Sequence, residues 1–119
     1  MTPPKSLSMK EEAKTWLEDI DRAIDEINAF LPEKRDFFEY KKDLKTKRAI
    51  ERNIEIIGEA MNRVLKENPE IEITNSRKIV DTRNRFIHGY DTVSDEIVWG
   101  IVNKYLPILK VEISRLLEL

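Results

Sequence analysis

The sequence predicts an all-α fold, an antiparallel bundle of four to five amphipathic helices. Apolar residues recur three and four positions apart along most of the chain. Hydrophobic and charged residues make up 40% and 37% of the 119 positions, a balance that suits helices with one buried stripe and one solvated face. Glycine occurs only three times, too rarely for the turns of an all-β fold. At this length the expectation is one domain over residues 1–119, with 1–7 as a loose leader.

The leader holds Pro3 and Pro4, and Ser8 followed by Glu11 has the spacing of a capping box that starts the first helix. Trp16, Leu17, Ile20, Ile24, Ile27 and Leu31 form its apolar stripe, and Pro32 ends it. Asp36 caps a second helical region running from Phe37 toward Leu65, which can break between Lys42 and Thr46. Its core stripe is Leu44, Ile50, Ile54, Ile57, Met61 and Val64. On its other faces Arg48, Glu51, Arg52, Glu55 and Glu59 are spaced to pair, at a few tenths of a kcal/mol each. Gly58 costs about 1 kcal/mol relative to alanine inside a helix, so a close helix–helix approach is the simplest reason to keep it.

Asn68 to Ile73, with Pro69, reads as a connector in which Ile71-Glu72-Ile73 permits a short extended piece but no sheet. Thr74 or Asn75 caps a third helix that buries Ile79, Val80, Phe86 and Ile87, and Gly89 is its natural left-handed stop, just past His88. Ser94 caps a last helix carrying Ile97, Val98, Ile101, Val102, Leu106, Leu109, Ile113, Leu116 and Leu117. Pro107 falls inside that pattern and should kink or interrupt it.

The chain has no cysteine, which excludes disulfide frameworks, thiolate zinc sites and cysteine nucleophiles. Met1 to Lys10 lacks an apolar signal-peptide core, and the apolar run Ile97–Val102 is far too short to span a membrane. A soluble cytoplasmic protein is therefore expected. Net charge is −2, so nucleic acid would be held by a local patch, for which Arg77, Lys78, Arg85 and Lys104 are the candidates.

His88 is the single histidine, which removes multi-histidine zinc sites and most di-iron bundle patterns. Imidazole ordinarily titrates near neutrality, at about 6.5, which makes this residue the natural proton-transfer group. Arg83 lies five residues upstream, with Asn84 and Arg85 following it and Tyr90 just past the histidine. Five residues turn a helix through about 500°, so Arg83 and His88 diverge on a straight helix. They converge only if the helix ends near His88 or if a second subunit supplies half of the site. Arg85 sits on a different face from Arg83 and could contact phosphate or only solvent. The residues alone equally allow a histidine capping a helix end beside an arginine in a surface ion pair.

Weaker patterns are also present. Glu51, Glu55 and Glu59 share a stripe that could bind Mg²⁺, but carboxylates beside arginines favour a salt-bridged face. His88, Asp91 and Ser94 invite a hydrolase-triad reading, yet no strained nucleophile elbow is present. Trp16 and Trp99 sit at core-like positions and read as packing residues rather than base-stacking platforms. Neither a metal nor a cofactor is expected.

The string Arg83-Asn84-Arg85-Phe86-Ile87-His88-Gly89-Tyr90-Asp91 resembles the signature of HEPN domains. More narrowly, it resembles HepT-type toxins paired with minimal nucleotidyltransferase antitoxins. Arg48 to Ala60 is similar to that family's second characteristic segment, and Val98-Trp99 through Leu106-Pro107-Ile108-Leu109 to its tail. The three blocks stand in the family's order over roughly Met9 to Leu116. The resemblance implies a metal-independent ribonuclease acting as a homodimer, with Arg83 and His88 as the catalytic pair and Asn84 at the polar position after the arginine. It further implies that a partner nucleotidyltransferase either transfers AMP onto Tyr90 or neutralises the toxin by binding. A different class stays open: a helical module that only binds such a nucleotidyltransferase and its nucleotide or substrate, without cleaving anything.

Overall fold

The computed structural model describes residues 5–88 and 93–118, with side chains from residue 11 onward. Every regular element among them is helical: α1 (Lys5–Phe30), α2 (Phe37–Lys42), α3 (Leu44–Glu67), α4 (Ser76–Ile87), α5 (Asp95–Gly100) and α6 (Leu106–Glu118). A π-helical turn, Ile101–Tyr105, joins α5 to α6, so residues 95–118 run as one rod. No helix among the described residues is long and apolar enough to cross a membrane.

One stripe per helix builds the core. Ile20, Ile24 and Ile27 of α1 meet Ile50, Ile54, Ile57, Met61 and Val64 of α3, with Ile79 of α4 and Leu106, Leu109 and Ile113 of α6, all almost fully buried. The 3.6-residue period places these side chains on the same face turn after turn. α1 therefore packs along both α3 and α6, and α3 packs against α4.

Two caps and one break match the sequence expectation. Asp36 accepts hydrogen bonds from the N–H groups of Phe38 and Glu39 at the start of α2. Ser94 accepts from Ile97 N–H at the start of α5. The break expected between Lys42 and Thr46 falls on Asp43, which closes α2 through its backbone and opens α3 through its carboxylate. That carboxylate accepts from Thr46 N–H at 3.1 Å and from the Thr46 hydroxyl at 2.6 Å.

Several expectations are corrected. α1 begins at Lys5, so Ser8 lies inside the helix rather than at its N-cap. Lys5 to Leu7 contains no glycine or proline, and nothing there stops helical hydrogen bonding. Asn75 takes the N-cap position of α4, one of the two expected there, but its side chain makes no capping bond. Asn75 adopts a left-handed conformation, φ 61°, which asparagine tolerates better than most residues, while Thr74 is held through its N–H and hydroxyl by Glu112 of α6. Leu44, Ile87 and Ile97 are exposed, at 59%, 52% and 41%, although expected in the core. Leu44 lies six residues before Ile50, about 600° of rotation, which puts it some 120° off the buried stripe.

Pro107 does interrupt the last rod, and the interruption takes the form of the π turn. Proline offers no N–H, and its ring crowds the carbonyl four residues back, here Asn103. Just before it the ladder widens: Leu106 N–H reaches the Ile101 carbonyl, and the Asn103 amide donates to the Trp99 carbonyl at 2.9 Å. The left-handed stop expected at Gly89 lies outside the described residues, as do Tyr90 and Asp91.

Candidate active site

Arg83 is seated on a glycine. It projects from α4 toward α3, where Gly58 leaves the space that a side chain would otherwise fill. A Cβ built on Gly58 would lie 2.3 Å from Arg83 Cβ and 2.7 Å from its Cγ. The close helix–helix approach inferred for this glycine is therefore an approach by Arg83 itself. The next residue of α3, Glu59, accepts a hydrogen bond and ion pair from Arg83 Nη2. Asn84 accepts from Nη1 at 2.9 Å. The guanidinium is thus fixed from two sides, with its Nε buried and without a hydrogen-bond partner. Glu59 also accepts from Arg63 Nε at 3.2 Å, so one carboxylate spans two guanidinium groups.

This cluster forms one wall of a groove of about 550 Å³ between three helices. Each helix contributes residues at helical spacing. α3 presents Arg52, Ile56, Glu59 and Arg63, α4 presents Arg83 and Ile87, and α1 presents Trp16 and Asp19. The exposure of Ile87 follows from this placement: it stands one turn beyond Arg83 on the groove face, away from the core.

His88 sits at the C-cap of α4, exposed, with its backbone N–H bonded to the Asn84 carbonyl. The helix thus ends where the sequence required it to end. The structure brings Arg83 and Asn84 together; His88 stands at the helix terminus and does not line the Arg83 groove. Arg85, two residues past Arg83 and so about 200° around α4, lines a separate groove of about 420 Å³ with Lys78, Lys104 and Tyr105. Lys78 Nζ donates to the Tyr105 hydroxyl at 3.1 Å and lies 5.3 Å from that ring's centre. Three of the four expected basic-rim residues therefore share one groove, and Arg77 stands apart from it.

The acidic stripe of α3 is occupied by arginines: Glu51 pairs with Arg48, Glu55 with Arg52, and Glu59 with Arg63 and Arg83. Trp99 packs against Tyr40 and Phe37 with ring centres 5.0 and 5.8 Å away, the packing role expected of it. Burial raises the pKa of the Tyr40 hydroxyl, with Asp95 and Glu51 adding to the effect. Sequence reasoning missed Glu59 and Gly58 as partners of Arg83, because the contact spans 24 residues. It also missed Trp16 as a groove residue. The only available signal was Gly58 itself, a costly residue in mid-helix.

A chain whose described residues form an all-α bundle, with a clamped arginine on the helix that its sole histidine terminates, belongs with the HEPN-like helical bundles. Within that class, the pattern of the family described as Ribonuclease HepT-like matches residues 20–116, and the chain belongs to this family of ribonucleases. It is 35% identical over 112 residues to a protein named "Probable ribonuclease HepT" from Thermococcus cleftensis, covering 91% of this chain and 98% of that one. A second relative, carrying a provisional RNase name, comes from Methanocaldococcus jannaschii. It is 28% identical over 92% of this chain and 90% of its own length. No solved structure shows a significant match to the chain.

Proposed function

We propose that this protein is the toxin half of a prokaryotic toxin–antitoxin pair, an endoribonuclease that cleaves RNA as a homodimer without a metal. The observation that carries this reading is the Arg83 guanidinium, fixed at a groove wall by Glu59 and Asn84 on the helix that ends at His88.

RNA supplies its own nucleophile, the 2′-hydroxyl beside the scissile phosphate. Attack on phosphorus forms the 2′,3′-cyclic phosphate and breaks the bond to the 5′-oxygen, which leaves as a hydroxyl. Imidazole takes the 2′ proton or delivers one to the leaving oxygen. The guanidinium stabilises the extra negative charge on the phosphoryl oxygens; each of its Nη atoms carries a second N–H beyond those given to Glu59 and Asn84.

A second copy of the chain supports this chemistry in two ways. One imidazole cannot easily be base and acid at the same moment and must act in sequence, whereas a second chain brings a second imidazole. Arg83 and His88 are also separated by about 500° of helix, 140° past a full turn, so a groove completed by the partner's histidine suits the geometry better than one chain alone. Lys78, Arg85 and Lys104 offer phosphate contacts on the neighbouring face. The antitoxin on this reading is a nucleotidyltransferase that transfers AMP onto Tyr90, two residues from His88, or else covers the site by binding.

The test is cleavage of RNA in the presence of EDTA by the wild type, Arg83→Ala and His88→Ala. Activity that survives EDTA and is lost in both variants supports the enzyme. Equal activity in all three would remove Arg83 and His88 from the chemistry.

A further inference from the structure

The groove that holds Arg83 contains one aromatic residue that the cleavage chemistry does not use. Trp16 packs against the core with part of its surface, remains only partly buried, and lines the same groove as Arg83. Its neighbours on α1, Leu17 and Ile20, are the fully inward residues, exposed by no more than 5%, and part of the indole is left to the groove.

The groove combines apolar surface with three carboxylates, Asp19, Glu55 and Glu59, and three arginines, Arg52, Arg63 and Arg83, a lining that can meet both the face and the edge of a nucleobase. Ile56 and Ile87 add apolar surface, and Ile87 is half exposed with nothing in the core to bury it. Asp19 stands one turn along α1 from Trp16 and lines the same space. Its contact with Arg22 is long, at 3.5 Å, which leaves carboxylate oxygens for the N–H donors of a base edge. Arg52 and Arg63 are largely exposed at the rim, where backbone phosphates would pass. The volume, about 550 Å³, falls within the range that encloses a nucleotide-sized ligand.

We propose that Trp16 is a base-stacking platform, on which the nucleobase next to the phosphate held by Arg83 lies in this groove. The proposal rests on the reading of the protein as an RNA-cleaving enzyme and names the subsite that binds single-stranded substrate beside the scissile bond. It adds a second role to the packing expected of Trp16. Stacking on an aromatic ring contributes about 1–3 kcal/mol per base and tolerates any base, because every base has a π face.

The experiment is tryptophan fluorescence of the full chain titrated with a short single-stranded oligoribonucleotide whose 2′-hydroxyls are all methylated, which binds without being cut. The same backbone carrying abasic sites is the comparison. The wild type is expected to be quenched by the oligonucleotide and not by its abasic counterpart. In Trp16→Phe the quenching should disappear while affinity stays within a few-fold, since a phenyl ring still stacks. In Trp16→Ala affinity for the base-bearing oligonucleotide should fall about tenfold, and affinity for the abasic one should not change. Quenching that persists in Trp16→Phe, and so arises from Trp99, would overturn the proposal. So would equal loss of affinity for both oligonucleotides in Trp16→Ala. Because nothing is cleaved, this outcome is separate from that of the Arg83→Ala and His88→Ala assay.

Discussion

Gly58 and Arg83 occupy one space: no atom can be added to the glycine's α-carbon without meeting the first two carbons of the arginine side chain, 2.3 and 2.7 Å away. The neighbouring Glu59 then holds the other end of that side chain. Two consecutive residues of α3 thus fix both the root and the tip of the guanidinium.

Gly58→Ala is the direct test of that seat. Alanine gains about 1 kcal/mol of helix propensity, whereas forcing a methyl into a filled site costs about 1–3 kcal/mol. Stability should therefore change little or fall by up to about 2 kcal/mol. Activity should fall much further, by about 100-fold, because a displacement of about 1 Å at a positioned group costs that much. Thermal unfolding and cleavage rates measured on the same preparation check this; a variant with unaltered cleavage would show that Arg83 needs no such seat.

If each site draws Arg83 from one chain and His88 from the other, two inactive variants should rescue each other. Arg83→Ala and His88→Ala, unfolded together and refolded as a mixture, would form a heterodimer with one intact site. Cleavage of up to about a quarter of the wild-type rate is expected, since about half of a random mixture is heterodimer with one site that keeps both an arginine and a histidine. A mixture as inactive as its components would rule out a site built from one Arg83 and one His88 across the dimer.

Tyr90 should carry an adenylyl group after incubation with the partner nucleotidyltransferase and ATP. The adduct would be read as a mass increase that Tyr90→Phe abolishes. It should also suppress cleavage, because an anionic nucleotide two residues from His88 repels the substrate phosphate. An adduct of equal yield in Tyr90→Phe would assign the modification elsewhere.

Hydrogen bonds from the Thr46 hydroxyl and then the Thr46 N–H hold the Asp43 carboxyl below its ordinary value of 3.8. A carboxylate lowered on folding stabilises the native state fully above the unfolded value, and that contribution is lost as pH falls through the lowered one. Stability should accordingly decline with acid below about pH 4, and Asp43→Asn, which keeps an acceptor without a titrating proton, should flatten part of that decline. Denaturant unfolding at several pH values reads the slope; identical slopes in both proteins would show that this cap does not contribute.

Much of the bundle was legible because helices advertise themselves locally. The stripes of α1 and α3, the caps at Asp36 and Ser94 and the break at Asp43 all follow from residues within a few positions of one another. The failures are also physical. A serine three residues before a glutamate fits inside a helix as well as at its start, which is why Ser8 misled. Ile87 and Ile97 are apolar but line grooves, and an apolar residue on a groove is indistinguishable by spacing from one in a core. Arg83 and His88 stand out because His88 is the single histidine and the two fall in one short string, Arg83 to Asp91. The residues that hold or surround Arg83, namely Gly58, Glu59 and Trp16, come from other helices, and no periodicity links one helix's phase to another's.

The widened turn at Ile101–Tyr105 gives the last rod one residue more than regular winding would hold over the same height. Such a turn acts as slack in the chain. A residue removed there can be absorbed by tightening the coil, leaving Leu106, Leu109 and Ile113 facing the interior, whereas the same deletion beyond Leu106 would swing part of that face by about 100° toward solvent. Length differences among related chains should therefore gather in these five positions, and the rod's two halves should keep their own registers on either side.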